Sequence, residues 1–159
     1  MTRLQVLLTT LAVVAVSAIA FHWSPGRQVR LHQRDLQRAA EKRNWTRVGG
    51  FVAADYSDRW GQNRALALEH LPQVFQDFLA IGILNEDVVI RADGDRRNFQ
   101  ARVRVVGSGG MLARMVMDHV DGLKQPFTFT WRRQSWKPWD WQLVRIDQPE
   151  IEIPEADFP

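Results

Sequence analysis

The sequence predicts an α+β domain in which N-terminal helices pack in a curved, mostly antiparallel β-sheet, preceded by a hydrophobic N-terminal segment. Three observations carry this expectation. Apolar residues recur at spacings of three and four up to about residue 80. Beyond Gly82 the period changes mostly to two, in short runs separated by Gly, Pro and Asp turns. Helices first and sequential strands afterwards is the order of an α+β fold rather than of alternating βαβ units. A length of 159 residues with 45% hydrophobic and 25% charged residues suits one globular domain.

The first segment, Leu4 to Trp23, contains no Asp, Glu, Lys or Arg and is followed by Ser24-Pro25-Gly26. As a helix it extends about 30 Å, the thickness of a hydrocarbon core, and Phe21-His22-Trp23 suits a membrane interface. Residues 1–26 are therefore read as a signal anchor or a signal peptide, with Ala18-Ile19-Ala20 supplying the small residues of a cleavage site. Arg3 argues for a cytoplasmic start, whereas Arg27, Arg30 and Arg34 pull the following side inward by the positive-inside rule. The very short leader favours export with the amino terminus inside, and so an anchored or exported domain on the extracytoplasmic side.

From Arg27 to Trp45, Val29, Leu31, Leu36, Ala39 and Ala40 sit among regularly placed basic residues, which predicts an amphipathic helix with a basic face. Asn44-Trp45-Thr46 opens a second short helix carrying Val48, Phe51, Val52 and Tyr56, weakened by Gly49-Gly50. After a polar and aromatic turn over Asp55 to Gly61, a third helix is expected from Asn63 to Ala80, bent or split at Pro72. Val88 and Ile90, the turn Ala92-Asp93-Gly94-Asp95, and the alternating Phe99, Ala101, Val103 and Val105 predict a hairpin. Gly107-Ser108-Gly109-Gly110 is expected to break its second strand. A helix closed by Gly122 follows, with Leu112, Met115, Val116, His119, Val120 and Leu123 on one face. Phe127, Phe129 and Trp131 mark a third strand. Trp141, Leu143 and Arg145, alternating with Gln142, Val144 and Ile146, mark a fourth, across a turn at Ser135-Trp136-Lys137-Pro138-Trp139-Asp140. Pro149 and Pro154 are expected to end the ordered region, leaving 149–159 as an acidic, Pro-containing tail behind a domain spanning 27–148.

Absence of cysteine removes disulfide scaffolds, thiolate zinc sites, iron–sulfur centres and cysteine nucleophiles. The net charge of +3 hides a dipolar chain: seven basic residues face two acidic ones between Arg27 and Arg47, whereas five acidic and no basic residues follow from Asp147 onward. The plain reading of the basic face is a solvated helix surface, with contact to anionic lipid or nucleic acid as the alternative. Nucleic acid would require aromatics interleaved with the charges, and only Trp45 is near, so nucleic-acid binding is not expected.

Arg43-Asn44-Trp45 followed by Phe51-Val52-Ala53-Ala54-Asp55-Tyr56, then Thr128 to Arg132 and Trp139 to Asp147, resembles the first-to-second helix passage and the closing hairpin of the nuclear transport factor 2-like superfamily. That superfamily includes the SnoaL-like and ketosteroid-isomerase-like cone folds. The resemblance covers about Arg27 to Gln148 and implies a conical pocket between sheet and helices, often in a homodimer. It implies architecture and no single activity, because the fold hosts isomerases, cyclases, hydrolases, transport adaptors and accessory domains.

An acid–base enzyme in such a cone needs a carboxylate base and a donor to the developing oxyanion. Asp58 lies in the right region and Tyr56, the only tyrosine, is two residues away. Against that stands the plainer reading of Asp58 as a turn or helix-capping carboxylate; Asp55 is a weaker candidate. His70 and His119 lack the spacing of a metal site, and no metal or cofactor is expected. Ser108 among glycines lacks the Lys-Ser/Thr ending of a phosphate loop and is read as a turn. Trp60, His119, Trp131, Trp136, Trp139 and Trp141 are the candidates for a pocket or partner surface. Trp136 and Trp139 stand out because indoles in a turn suggest a covered edge. The expected function is a non-catalytic, membrane-tethered or exported binding or assembly module for a small ligand or membrane protein. The alternative is a pocket enzyme, a proton-transfer isomerase or hydrolase-like protein, with Asp58 as base.

Overall fold

The computed structural model describes residues 3–152. The expected end at Pro154 and the acidic residues after it lie outside the described residues. In chain order the elements are α1 (Arg3–His22), α2 (Pro25–Glu41), α3 (Trp45–Phe51), α4 (Arg64–Phe75), β1 (Phe78–Asp93), β2 (Arg96–Gly109), α5 (Met111–Gly122), β3 (Phe127–Arg133) and β4 (Trp141–Asp147). The strands form one antiparallel sheet in the order β1-β2-β3-β4. Helices α2, α3 and α4 close over its concave face, and the core lies between the two layers.

Within α1, Gln5–His22 is long and apolar enough to cross a membrane, and none of it is buried against the domain. The chain breaks at Trp23-Ser24, and Pro25 opens α2, where its missing N–H costs no helical bond. Gln28 is buried and its Nε2 donates to the His22 carbonyl at 2.9 Å, so the end of α1 is tied to the first turn of α2.

The buried face of α2 carries Val29, Leu36, Ala39 and Ala40 as expected, but also Gln28, Gln33 and Gln37. These amides fasten the helix. Gln37 and Asn85 on β1 exchange hydrogen bonds of 2.9 and 2.6 Å, and Glu41 Oε1 accepts from the Ile83 N–H at 2.7 Å. Arg43 adopts a positive φ of 53° between α2 and α3, and its guanidinium donates to the Phe75 and Phe78 carbonyls at the α4–β1 junction. Asn44 then caps α3 by accepting from the Arg47 N–H at 3.0 Å. The residues that carried the resemblance thus form a real helix-to-helix passage.

Several expectations require correction. The second helix ends at Phe51, before Val52 and Tyr56, because Val52 pairs with Leu143 as an isolated parallel bridge and Ala53 donates to the Leu143 carbonyl at 2.9 Å. The third helix ends at Phe75, three residues past Pro72, and residues 78–84 are strand. Strand pairing wins there: Phe78 to Leu84 lies opposite Arg104 to Gly109 and lengthens the hairpin. The glycines at 107–109 do not break β2. Gly107, at φ 153°, passes so close to Ala80 that a side chain would collide with its carbonyl, so Gly permits the close approach of the strands and Ser108 sits within β2 rather than in a turn.

The expected faces of α5 and β4 also shift. Ala113 is fully buried and Val116, Met117 and Val120 are half-buried, while Leu112, Met115 and His119 face outward. Asp77 sets that rotation, since its Oδ2 accepts from the Ala113 N–H at 2.8 Å and its carbonyl accepts from Gly110. In β4, Trp131 pairs with Leu143 and Thr130 with Arg145, which leaves Val144 as a bulge. The strict alternation fails at that point, and Ile146 turns inward while Arg145 is exposed.

A cavity behind the loop of residues 53–62

Between the sheet and the helices lies an open-sided cavity of about 470 Å³ whose walls are overwhelmingly apolar. Leu68, Leu71 and Val74 come from α4, Val103 and Val105 from β2, and Val116 and Val120 from α5. A volume of this size is in the range that holds a small organic molecule. The few polar groups in the wall are Gln33 and Gln37 of α2, Tyr56, Asp58 and Gln62 of the loop, and His70 of α4.

The loop reaches this wall because it adds to β4. Ser57 donates to the Val144 carbonyl at 3.1 Å, at the bulge, and Arg64 locks the loop's start by donating to the Val52 and Gly49 carbonyls at 3.1 and 2.9 Å. Asp58 is 6% exposed. Its Oδ1 accepts from the backbone N–H groups of Trp60 and Gln62 at 2.9 and 2.8 Å, and its Oδ2 faces the Tyr56 hydroxyl at 3.5 Å. Asp58 is therefore the organiser of its own turn. The cap of α4 is Asn63, which accepts from the Leu66 N–H at 3.1 Å. Burial, and then the Asp58 carboxylate beside it, push the Tyr56 phenol well above the ordinary tyrosine range.

Gln33 provides the other polar feature. It is fully buried, and its Oε1 accepts from the Trp131 indole at 3.0 Å. Indole N–H only donates, so the amide orientation is fixed and Nε2 points away from Trp131. That Nε2 has no hydrogen-bond partner among the described residues. An unpartnered buried amide donor costs about 1–3 kcal/mol. Gln33 went unnoticed in the sequence because a polar residue on a basic helix reads as exposed. Its signal was there: Gln33 and Gln37 stand four apart on the stripe of Val29, Leu36 and Ala40.

The other sequence candidates scatter. Trp60 lines the cavity and donates from Nε1 to the Ile151 carbonyl at 2.8 Å, which holds the segment after β4 across the cavity wall. Trp131 is fully buried outside the cavity wall, edge-on to His32 and Phe51 with centroids 5.9 and 6.4 Å apart. Trp141 is buried and donates to the Pro138 carbonyl at 2.8 Å. His119 lies exposed on α5, outside the cavity wall. Trp136 and Trp139 are 82% and 50% exposed, with Trp139 beside Trp23 at 6.1 Å between centroids. Asp55 lies outside the cavity wall. It forms a two-pronged pair with Arg132 at 2.8 and 2.9 Å, and this hydrogen bonding holds its carboxyl below the ordinary 3.8. Among the described residues no cluster of His, Asp and Glu is arranged to hold a metal ion.

No family model matches the chain, and no curated protein matches it in sequence. Solved structures do. A candidate dehydratase of the nuclear transport factor 2-like family from Streptomyces avermitilis aligns with a TM-score of 0.57 and 18% identity, over 77% of this chain and 93% of that one. A nuclear transport factor 2-like protein of unknown function in nutrient uptake from Rhodospirillum rubrum gives 0.53 and 22%, over 74% and 93%. Bd1075 of Bdellovibrio bacteriovorus gives 0.56 and 10% over 76% of this chain, which spans only 38% of that longer protein. Helices closing over a curved four-stranded antiparallel sheet, with these neighbours, are the nuclear transport factor 2-like fold.

Proposed function

We propose that the chain is a membrane-tethered binding module whose cone holds an uncharged, largely apolar small molecule bearing a hydrogen-bond acceptor. The observation that carries this reading is the cavity of about 470 Å³ walled almost entirely by aliphatic and aromatic side chains. Those walls would take up apolar surface at roughly 25 cal/mol per Å², and an oxygen admitted to the buried Gln33 Nε2 by a side-chain shift would satisfy that donor. An anionic ligand would leave water without compensation and meet the Asp58 carboxylate. The exposed apolar α1 supports the tether, and retention of α1 is part of the proposal.

The test uses residues 25–152 and a propionyl-dimethylaminonaphthalene fluorophore, which is uncharged and carries one ketone. Saturable binding with blue-shifted emission is expected. Leu71→Trp, which fills the cavity, should abolish it. Gln33→Leu combined with Trp131→Phe, which removes both partners of the indole bond, should weaken it about two- to tenfold. Binding that survives Leu71→Trp would overturn the assignment of the cavity.

A second reading is favoured by one observation: Tyr56, Asp58 and His70 line the same cavity. In that reading the cone is a pocket enzyme with Asp58 as base and Tyr56 as donor. Asp58→Asn retains an oxygen for the two backbone donors and removes the charge. Loss of turnover with an unchanged melting temperature would support the enzyme; unchanged turnover would sink it.

A further inference from the structure

The junction between α1 and the domain carries features that the cavity does not use. A cleft of about 480 Å³ opens there, walled by Phe21 at the end of α1, by Arg27 and Arg30 of α2, and by Ile90, Ala92 and Arg97 of the β1–β2 hairpin. The wall contains three arginines and no carboxylate. Arg27 lies over the Phe21 ring at 5.0 Å, and Arg97 lies over Trp141 at 5.9 Å. None of the three forms an ion pair among the described residues, although Arg34, Arg59, Arg104 and Arg132 each do.

The β3–β4 turn also meets the end of α1: Trp139 packs against Trp23, and Trp136, three residues earlier in the turn, is the more exposed of the two indoles. Water gives no reason to expose two indoles in one turn, whereas a headgroup layer accepts both the ring and the N–H of tryptophan. The Trp23–Trp139 contact sets the turn against the end of α1, and the bond from Gln28 to the His22 carbonyl ties that end to α2.

We infer that this face docks on the leaflet surrounding α1, with Trp136 and Trp139 in the headgroup layer and anionic phospholipid phosphates in the cleft of Arg27, Arg30 and Arg97. The inference rests on the tether reading, since α1 supplies the membrane. The occupant is anionic lipid rather than an apolar protein surface because Trp139 and the cleft, whose arginines form no ion pair among the described residues, both meet the end of a helix of membrane-spanning length. Docking would turn the domain onto its side chains at the α1 end and fix the cone relative to the bilayer.

The chain has no cysteine, so Ser135→Cys gives a unique attachment point for a nitroxide beside Trp136. The full chain is reconstituted into vesicles of phosphatidylcholine with or without phosphatidylglycerol, and vesicle flotation is recorded with each spectrum. The label is expected at headgroup depth when phosphatidylglycerol is present, by its relative exposure to oxygen and to a water-soluble nickel chelate. Arg27→Gln with Arg30→Gln should still float with the vesicles while lowering the ratio of docked to undocked domain about fivefold per arginine, and Trp136→Ala should lower it further. A label in bulk water on floated vesicles overturns docking while leaving the tether standing. Failure to float overturns the tether, and docking with it. Equal depth on phosphatidylcholine alone overturns the anionic-lipid assignment, and dipolar broadening between labels would assign the face to a second copy of the chain instead.

Discussion

The cavity and the α1 end of the domain treat polar and aromatic groups in opposite ways. Inside the cone, Asp58 is tied to two backbone N–H groups and faces a tyrosine, and Trp131 gives its indole hydrogen to Gln33. At the α1 end, Arg27 and Arg30 are exposed with no ion pair among the described residues, and Trp139, packed on Trp23, is half exposed. Burial makes each polar partner inside the cone costly to lose, whereas water or a headgroup replaces partners outside at little cost. The difference separates residues that hold the fold from residues that remain free to meet something else.

Removing the same residue type in the two regions breaks or sharpens that comparison most directly. Trp131→Ala should destabilise the domain by about 3–5 kcal/mol, because it opens a cavity and leaves Gln33 Oε1 unpaired. Denaturant melts would show this as a large drop in midpoint, and a loss below about 1 kcal/mol would remove Trp131 from the structural set. Asp58→Ala comes next, at about 2 kcal/mol, since two backbone donors in the loop lose their acceptor. Asp58→Asn should cost less than about 1 kcal/mol, and equal losses for Ala and Asn would mean that the negative charge, rather than an oxygen acceptor, holds the turn.

The Tyr56 phenol gives a pH-dependent version of the same contrast. Its folded pKa is raised above 10.0, so the folded state retains a proton that the unfolded state releases. Stability from this group is present in full below pH 10 and falls as pH rises above it, with a slope of up to about 1.4 kcal/mol per unit. Tyr56 is the only tyrosine, so the phenolate absorbance reports it alone, and Tyr56→Phe should remove its share of the alkaline loss. The smallest effect is expected at the α1 end. Trp136→Ala should change the stability of residues 25–152 by less than about 0.5 kcal/mol, and a larger loss would mean that the turn is packed against the domain rather than presented outward.

Legibility in the sequence followed the range of the interaction. The amphipathic α2, the start of α3 after Asn44, the turn at Gly94 and the alternation along β2 and β3 rest on neighbours within a few residues, and periodicity and turn residues expose them. Residues 78–80 read as helix because their local pattern continues α4; only the partner strand opposite them, at 108–109, decides otherwise. Within the candidate site, Tyr56, Asp58 and Trp60 were legible as a polar aromatic turn, and they do reach the cavity. Gln33, His70 and Gln62 were not singled out for it, since no spacing along the chain tells that α2, α4 and the loop converge.

By itself the sequence determined the order of helices and strands, the apolar N-terminal helix, the absence of thiol chemistry and the resemblance to a cone fold, because composition and short periods encode them. Tertiary structure decided the rest. The register that makes Gly107 necessary beside Ala80, the bulge at Val144 that turns Ile146 inward, and the Trp131 bond that leaves Gln33 Nε2 without a partner arise between residues distant in the chain. Packing fixes such contacts, and packing is a property of surfaces brought together, which no local pattern contains.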